Sequence, residues 1–250
     1  FRQIEVPPSA NKTGPVSLRR TDKETSFFVQ DIIKLSKEWD LHAGLRRLNA
    51  DRTQAGSPQF EQSYNLPNAA LVFKPSSELS TYASFSQGLE HGGVAPIGTT
   101  NANKMLDAEK SKQWELGAKA TISNDVNLTA AIFRITKPLE YTNAANTYVS
   151  DGEAEHRGLE LAAQAKLSKE WNVGASATTL NARQIGTGDA TIEGKRVTNV
   201  PSFKSTIYTD YAPAIFAGAH ITASWQHSGS KSFSPDNKVT VPSYNVVNFG

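Results

Sequence analysis

Apolar and polar residues alternate along most of this chain with a period of two. Successive side chains of a β-strand point to opposite faces, so this period is typical of strands. The stretch 111–137 contains two such segments, joined at 123–125 by residues that favour turns. On the first segment one face carries Trp114, Leu116, Ala118, Ala120 and Ile122. The pattern therefore predicts a β-hairpin, although residues 132–135 are apolar on both faces.

The same hairpin recurs along the chain. The sequence KLSKEWDLHAG at Lys34–Gly44 nearly repeats as KLSKEWNVGAS at Lys166–Ser176, and weaker copies begin at 74 and 120. The spacing of each copy leaves room for two strands, a short turn and a long loop. The predicted strands are 1–5, 26–35, 40–50, 66–74, 78–88, 112–122, 126–137, 157–167, 171–182, 203–211, 216–227 and 243–250. No long window shows the period of a helix.

Short and long connections alternate between the predicted strands. Short turns are predicted at 36–39, 75–77, 123–125, 168–170 and 212–215. Long loops rich in Gly, Asn, Thr and Ser are predicted at 51–65, 89–111, 138–156, 183–202 and 228–242. Short turns at one end and long loops at the other are typical of an outer-membrane barrel. A soluble sandwich, the alternative on pattern alone, favours shorter strands of about 5–6 residues.

Each long strand has an uncharged row and a polar row. Leu159, Leu161, Ala163, Ala165 and Leu167 form one uncharged row, and Ala217, Ala219, Ile221, Ala223 and Trp225 form another. In a barrel these rows face lipid, and Glu115, Lys119, Glu160 and Lys166 face the lumen; in a soluble sheet the same charges face solvent. Trp39 and Trp171, beside equivalent short turns, are candidates for an aromatic girdle at the headgroup level, which Trp225 extends.

Composition excludes several classes of protein. There are 26 basic and 24 acidic residues and no basic cluster, which argues against binding to nucleic acid. No cysteine is present, and no apolar run approaches the roughly 20 residues of a membrane helix. The five histidines are dispersed without metal-ligand spacing, and no nucleophile or metalloprotease motif occurs. We therefore predict neither an enzyme, nor a resident metal, nor a cofactor.

Several segments resemble a known family in the same order and spacing. LDAEKSKQWELG at 106–117 resembles the L-x-P-E-x-S-x-x-Y/W-E-L/V-G signature of TonB-dependent siderophore receptors, except that Ala108 replaces the usual Pro. HRGLEL at 156–161 is similar to their R-G-x-E-L element, and 66–88 resembles one of their hairpins. Further similar strand starts are Phe28–Asp31, Val200–Phe203 and Val241–Val247.

This resemblance implies an all-β, antiparallel transmembrane barrel of 22 strands in the bacterial outer membrane, plugged by an N-terminal domain. Such a receptor imports ferric siderophores with energy relayed by TonB. Residues 1–250 would form a partial barrel domain of about 12 strands, without the plug, the early strands or the last strands. TonB would then bind the full-length protein through a segment not present here, and outer-membrane lipid would surround the barrel.

Ligand contacts are expected on long loops and on the upper lumen wall. The candidates are His91, Tyr141, Tyr148, His156, Arg157 and Arg183. Aromatic rings pack on a chelate, and Arg or His meets anionic groups, although such residues also occur as plain solvated loop residues. Two other functions remain open from the sequence. They are a passive porin-like barrel and a soluble β-structural or adhesin module.

Overall fold

The computed structural model describes residues 20–55, 57–123, 125–216 and 218–250, and within them every regular element is a β-strand. The strands are β1 (Arg20–Lys34), β2 (Trp39–Gln54), β3 (Phe60–Phe73), β4 (Leu79–Glu90), β5 (Glu109–Ile122), β6 (Val126–Thr142), β7 (Tyr148–Lys166), β8 (Trp171–Ile185), β9 (Phe203–Tyr211), β10 (Ile221–Ser228), β11 (Lys231–Ser232), β12 (Thr240–Val241) and β13 (Tyr244–Phe249). No helix able to cross a membrane is found in these ranges.

Eleven of the strands form one antiparallel sheet in which each strand pairs with the next along the chain. The order runs from β1 to β10 and then to β13, while β11 and β12 pair in a separate two-stranded hairpin. Consecutive antiparallel pairing by hairpins is the topology of an up-and-down barrel wall. The structure therefore confirms the predicted all-β, antiparallel architecture.

The strands extend further towards the long loops than the alternation predicts. β3 begins at Phe60 rather than 66, and β7 begins at Tyr148 rather than 157. These strands therefore include residues that the sequence assigns to the predicted loops 51–65 and 138–156. Polar residues lie on both faces of these upper segments, so the alternation that marks a half-buried strand is lost there.

Three other predictions from the sequence differ from the structure or concern residues that the structure does not describe. β10 begins at Ile221 rather than 216, so Ala219 belongs to the preceding connection, and Ala217 lies outside the described residues. The predicted strand 1–5 lies outside them as well. The sequence also missed the β11–β12 hairpin inside the loop 228–242. Two-residue strands are too short to produce a detectable period.

The repeated short turns share a local hydrogen-bond pattern. The Ser36 hydroxyl accepts the amides of Glu38 and Trp39, both at 3.1 Å. In the repeat, the Ser168 hydroxyl accepts the amide of Glu170 at 3.1 Å. Serine hydroxyls offer the backbone such turn bonds. The Ser-x-Glu sequence of the repeat therefore fixes the turn locally.

The sheet has one predominantly apolar face and one polar face, which the register defines. Leu116 pairs with Ile132, and Ile132 in turn pairs with Leu159, so these apolar residues share what we call the outer face. Glu115 and Glu160 lie on the alternate positions, which form the inner face. Towards the short turns the outer face carries aromatic pairs, with the Trp39 and Phe73 rings 4.6 Å apart and stacked.

Glycines on the inner face accommodate aromatic rings from the neighbouring strand. Gly117 pairs directly with Tyr82, and a Cβ added at Gly117 would lie 2.5 Å from that ring. Gly174 pairs with Tyr208 in the same way, at 2.3 Å. Because glycine has no side chain, each ring lies flat across the adjacent strand. The inner face is therefore lined by rings lying close to the backbone.

Candidate functional site: the inner face and the loops above it

Polar contacts connect the middle of the inner face. The Tyr82 hydroxyl donates to Glu115 at 2.6 Å, and the Gln113 amide donates to the other carboxylate oxygen at 3.0 Å. The ammonium of Lys119 lies 5.8 Å from the centre of the Tyr82 ring. These residues come from adjacent strands, β4 and β5. They form a polar, hydrogen-bonded wall rather than an apolar core.

A depression of about 400 Å³ opens on the inner face further along the sheet. Its lining includes His156 and Glu160 of β7, Lys204 of β9, and residues 199–201 of the β8–β9 loop. The depression thus combines one acidic and one basic side chain with an imidazole. Such a mixture of polar groups in a concave site suits a ligand that carries both charge and apolar surface.

The loop between β4 and β5 folds over the inner face of β2 and β3. Ala108 packs in a buried cluster with Leu48, Ala50, Tyr64 and Leu66. The Tyr64 hydroxyl donates to the Ala108 carbonyl at 2.9 Å. Leu48 and Ala50 are only 2% and 1% exposed, so this contact is closely packed. The loop therefore forms a fixed cover over this region of the inner face.

Two charged contacts hold the start of that loop against β1 and β2. Arg52, only 1% exposed, donates from Nη1 to the Gly92 carbonyl at 2.8 Å and from Nε to Asp22 at 3.0 Å. His91 contacts the carboxylate of Glu24. A buried guanidinium is stable only when it is paired and hydrogen-bonded. Arg52 therefore couples the position of the loop to that of β1.

The Gly92-Gly93 pair allows the loop to approach its neighbours closely. A Cβ at Gly92 would lie 2.1 Å from the Leu106 carbonyl oxygen, and one at Gly93 would lie 2.6 Å from Glu140. The Gly93 amide donates to both oxygens of the Glu140 carboxylate, at 2.9 and 3.1 Å. Glu140 also accepts the Tyr148 hydroxyl at 2.8 Å. The two glycines thus bring the loop within reach of β6 and β7.

The tip of the same loop is joined to the β6–β7 connection. The side chain of Asn101 donates to the Tyr148 carbonyl at 2.8 Å and accepts the Tyr148 amide at 2.9 Å. The side chain of Asn146 donates to the Gly98 carbonyl at 2.7 Å. These hydrogen bonds join the two loops into one unit. We call this unit the 91–108/143–147 cover.

The β8–β9 and β10–β13 connections form a second pair of joined loops. The Asn237 side chain accepts the Arg196 amide at 2.7 Å and donates to the Arg196 carbonyl at 2.9 Å. Gln184, 2% exposed, donates to the carbonyls of Arg196 and Pro235. The β8–β9 and β10–β13 connections are therefore also held together, and the His156 depression lies below residues of the first of them.

The structure distributes the predicted ligand-contact residues over different surfaces. His91 lies in the cover, Tyr148 at the start of β7 is hydrogen-bonded to it, and His156 lines the inner depression. Tyr141 is 8% exposed, and its hydroxyl donates to Asp151, which also accepts the Gly188 amide. Arg157 and Arg183 lie on the row shared with Leu159, the outer face. The structure therefore does not bring the six into one site.

The predicted girdle aromatics all lie on the outer row. Trp171 pairs with Tyr211 beside a short turn, and its indole nitrogen donates to Thr209 at 2.6 Å. Trp225 pairs with Ile207 and lines an apolar depression together with Leu161. Trp225 therefore lies farther along the strands from the short turns than Trp171. The sequence analysis named none of Arg52, Glu140 and Asn101. The adjacent glycines Gly92 and Gly93 are a local signal of a close backbone approach.

Within the described ranges, no three His, Asp or Glu side chains are grouped to hold a metal ion. A sheet of long strands with one apolar face, one polar face and long joined loops at one end defines the class of outer-membrane β-barrel proteins. The family itself follows from comparison with known sequences. Residues 2–250 match the sequence model described as "TonB dependent receptor-like, beta-barrel", and the chain belongs to this family of outer-membrane receptors.

Individual relatives agree with this assignment. The chain is 29% identical over 253 residues to the probable TonB-dependent siderophore receptor PiuA of Acinetobacter baumannii, covering 90% of this chain and 34% of that protein. It is 24% identical to the ferrichrome outer membrane transporter/phage receptor of Escherichia coli K12, over 94% of this chain and 32% of the relative.

Solved structures show the same fold. BauA, the ferric preacinetobactin receptor of Acinetobacter baumannii, superposes with a TM-score of 0.76 at 24% identity, covering 92% of this chain and 36% of that one. The crystal structure of PiuA gives a TM-score of 0.73 over 91% of this chain and 36% of PiuA. The chain therefore spans about a third of the length of the relatives that it matches.

Proposed function

We propose that this chain is part of the barrel of a receptor that imports a ferric siderophore across the outer membrane, driven by TonB. Residues 1–250 would then be a portion of the barrel domain, which agrees with a span of about a third of each relative. The ferric siderophore is the cargo of such a receptor rather than a resident cofactor. TonB would act on the complete protein through a segment outside this portion.

The observation that carries the proposal is the cover over the inner face. An open water-filled pore would leave its upper lumen accessible, whereas here loop 91–108 is packed on β2 and β3 and joined to 143–147. Loops that fold over the inner face suit capture of a specific ligand followed by a gated passage. A passive porin, the alternative function, requires no such roof.

Four of the candidate residues support ligand contact from positions on the covered side or in its loops. His156 lies beside Glu160 and Lys204 in the inner depression. His91 lies in the cover, and Tyr148 is hydrogen-bonded to Asn101 of the cover. The Tyr141 hydroxyl and the Gly188 amide both donate to Asp151. Aromatic rings and an imidazole would pack on the chelate and donate hydrogen bonds to its anionic groups. Arg157 and Arg183 are left out of this proposal because they lie on the outer row.

The test is iron uptake by the full-length protein expressed in cells that lack their own siderophore receptors. Radioactive iron would be supplied as ferrichrome and as ferrioxamine B, the ligands named for two relatives. We expect accumulation of at least one complex, abolished by deletion of TonB. Uptake that continues without TonB would support a passive pore. Failure to bind either complex or a wider siderophore panel would overturn the proposal.

A further inference from the structure

One side of the His156 depression belongs to a loop rather than to the sheet. Strand residues such as Ile135 and Leu180 line it from the wall, whereas residues 199–201 of the β8–β9 loop line the other side. Strand side chains are fixed by the pairing of the whole sheet, but a loop segment takes its position from the contacts it makes. The width of the depression is therefore set by whatever holds segment 199–201.

The backbone at Asn199 turns at the edge of the depression with a φ of +60°. Few residues other than glycine adopt this left-handed conformation, and asparagine is one that tolerates it. One anchor of the segment is local, since the Leu180 amide donates to the Ser202 carbonyl at 2.8 Å. The other comes from a different loop, where the Ser232 carbonyl accepts the Asn199 amide at 2.8 Å. Segment 199–201 thus depends on the β10–β13 connection for its position.

Asn237 joins that connection to the residues just before the segment. Its side chain makes the two reciprocal bonds with the backbone of Arg196, and it also donates to the Ser232 hydroxyl at 2.9 Å. Ser232 and Gln184 are 1% and 2% exposed, so water does not compete for the bonds at this junction. One amide side chain therefore contacts both the residue before the segment and the residue that holds Asn199.

We propose that Asn237 is a positioning residue for the ligand, because it fixes segment 199–201 and thereby the width of the His156 depression. This inference rests on the proposed function, since it concerns how the depression receives part of a ferric complex. Asn237 does not itself line the depression and acts through Arg196 and Ser232. A depression of fixed width accepts a complex of matching shape and excludes others. Loss of the Asn237 side chain should weaken binding without slowing transport at saturation.

The first experiment measures hydrogen exchange at residues 196–200 in the full-length protein, in nanodiscs and without ligand. Asn237→Gly removes the amide and keeps a residue suited to the φ of +61°. Exchange at the amides of Arg196 and Asn199 should become about tenfold faster, because both bonds to Arg196 are lost. Asn146→Gly is the matched control, since Asn146 has a φ of +56° and joins two loops of the cover. It should leave exchange at 196–200 unchanged.

The second experiment measures TonB-dependent uptake of radioactive iron, supplied as ferrichrome and as ferrioxamine B. For each complex that the wild type imports, Asn237→Gly should raise the KM about fivefold, equivalent to one lost hydrogen bond. The maximal rate should stay within about twofold of the wild type, as expected when only binding of the complex in its ground state is weakened. Where both complexes are imported, their KM values should become more similar.

Two further variants separate positioning from a general effect on the loop. Lys238→Ala changes the neighbouring side chain, whose ammonium pairs with Asp236 at 2.9 Å, and should leave exchange and KM unchanged. Asn237→Asp keeps the acceptor for the Arg196 amide and loses the donor to the Arg196 carbonyl, so its KM should lie between those of the wild type and Asn237→Gly. Heat-dependent gel migration would show that each variant is folded.

Three outcomes would overturn the proposal. Unchanged exchange at Asn199 in Asn237→Gly would do so whatever the protein transports. Faster exchange with an unchanged KM would show that segment 199–201 does not control binding, and an equal effect of Lys238→Ala would show that any change in the loop suffices. A wild type that binds no siderophore complex would reject the proposed function and the ligand effect with it. The exchange measurement would still decide whether Asn237 positions the segment.

Discussion

The two ends of the sheet are held together in different ways. At the short-turn end, the Ser36 hydroxyl accepts amides two and three residues further along, and the Ser168 hydroxyl repeats the first of these bonds. At the long-loop end, the residues that meet are far apart in sequence, as with Arg52 and Gly92 or Asn101 and Tyr148. Local turns therefore tolerate changes elsewhere, whereas the cover depends on many distant partners at once.

Gly92→Ala should have the largest effect, because it should disrupt the packing of the loop at the long-loop end of the sheet. Its Cβ would lie 2.1 Å from the Leu106 carbonyl oxygen, a backbone atom that cannot rotate away. Overpacking of this kind costs about 3 kcal/mol. Hydrogen exchange on the protein in nanodiscs should show lost protection across 91–108 and unchanged protection at the short turns. Gly98→Ala is a useful comparison because no atom lies near its Cβ, although its φ of +100° adds backbone strain.

Arg52→Met should loosen the start of the loop by about 2 kcal/mol, because the bonds to Gly92 and Asp22 are lost from a buried site. The matched variant Arg46→Met removes a half-exposed arginine that is 3.9 Å from Glu24. It should change the local opening free energy by less than about 0.5 kcal/mol. Equal effects of the two substitutions on exchange at 91–93 would contradict the proposed anchor.

Tyr148→Phe should weaken the contact between the cover and β6 by about 1 kcal/mol, the usual contribution of one hydrogen bond. The lost bond is the 2.8 Å donation to Glu140, which also binds the Gly93 amide. We expect faster exchange at Gly93 and unchanged exchange at the short turns. Tyr211→Phe, whose hydroxyl is 3.5 Å from Glu170, serves as the control. Protection of Gly93 that is the same in both variants would argue against coupling through Glu140.

Ser36→Ala tests the opposite end and should cost about 0.5–1 kcal/mol, because two amides lose their acceptor. The effect should be confined to exchange at 35–39. Ser77→Ala removes a side-chain contact with Glu78 rather than a bond to the backbone, so it should change less. If Ser36→Ala also accelerated hydrogen exchange in residues 91–108, the two ends of the sheet would not be independent.

The smallest expected effect is that of mild acid on residues 186–187 of the β8–β9 loop. Hydrogen bonds from the Thr187 side chain and amide hold the pKa of the Glu193 carboxyl below its ordinary value of 4.5. Because the folded pKa is the lower one, this contribution is complete above about pH 4.5 and is lost as the pH falls through the folded pKa. After correction for the intrinsic pH dependence of hydrogen exchange, the protection of the amides of residues 186–187 should fall only in that pH range. Glu193→Gln should abolish the dependence.

The sequence by itself determined the strands of the barrel wall, because apolar and polar residues alternate along any strand that separates lipid from water. It predicted β9 at 203–211 as the structure has it and the class of fold from the order of turns and loops. It also placed Glu115 and Glu160 on the polar row. The resemblance of residues 106–117 and 156–161 added the family.

Only the tertiary structure decided how the long loops contact the sheet. Nothing local in the sequence links Arg52 to Gly92 or Glu140 to Gly93, since these pairs are separated by 40 and 47 residues. Alternation alone puts Arg157 on the row of Leu159, two positions further along the same strand. Only the register places Arg157 opposite Arg134, and Arg134 opposite Trp114, because the sequence of one strand does not determine how it pairs with its neighbours.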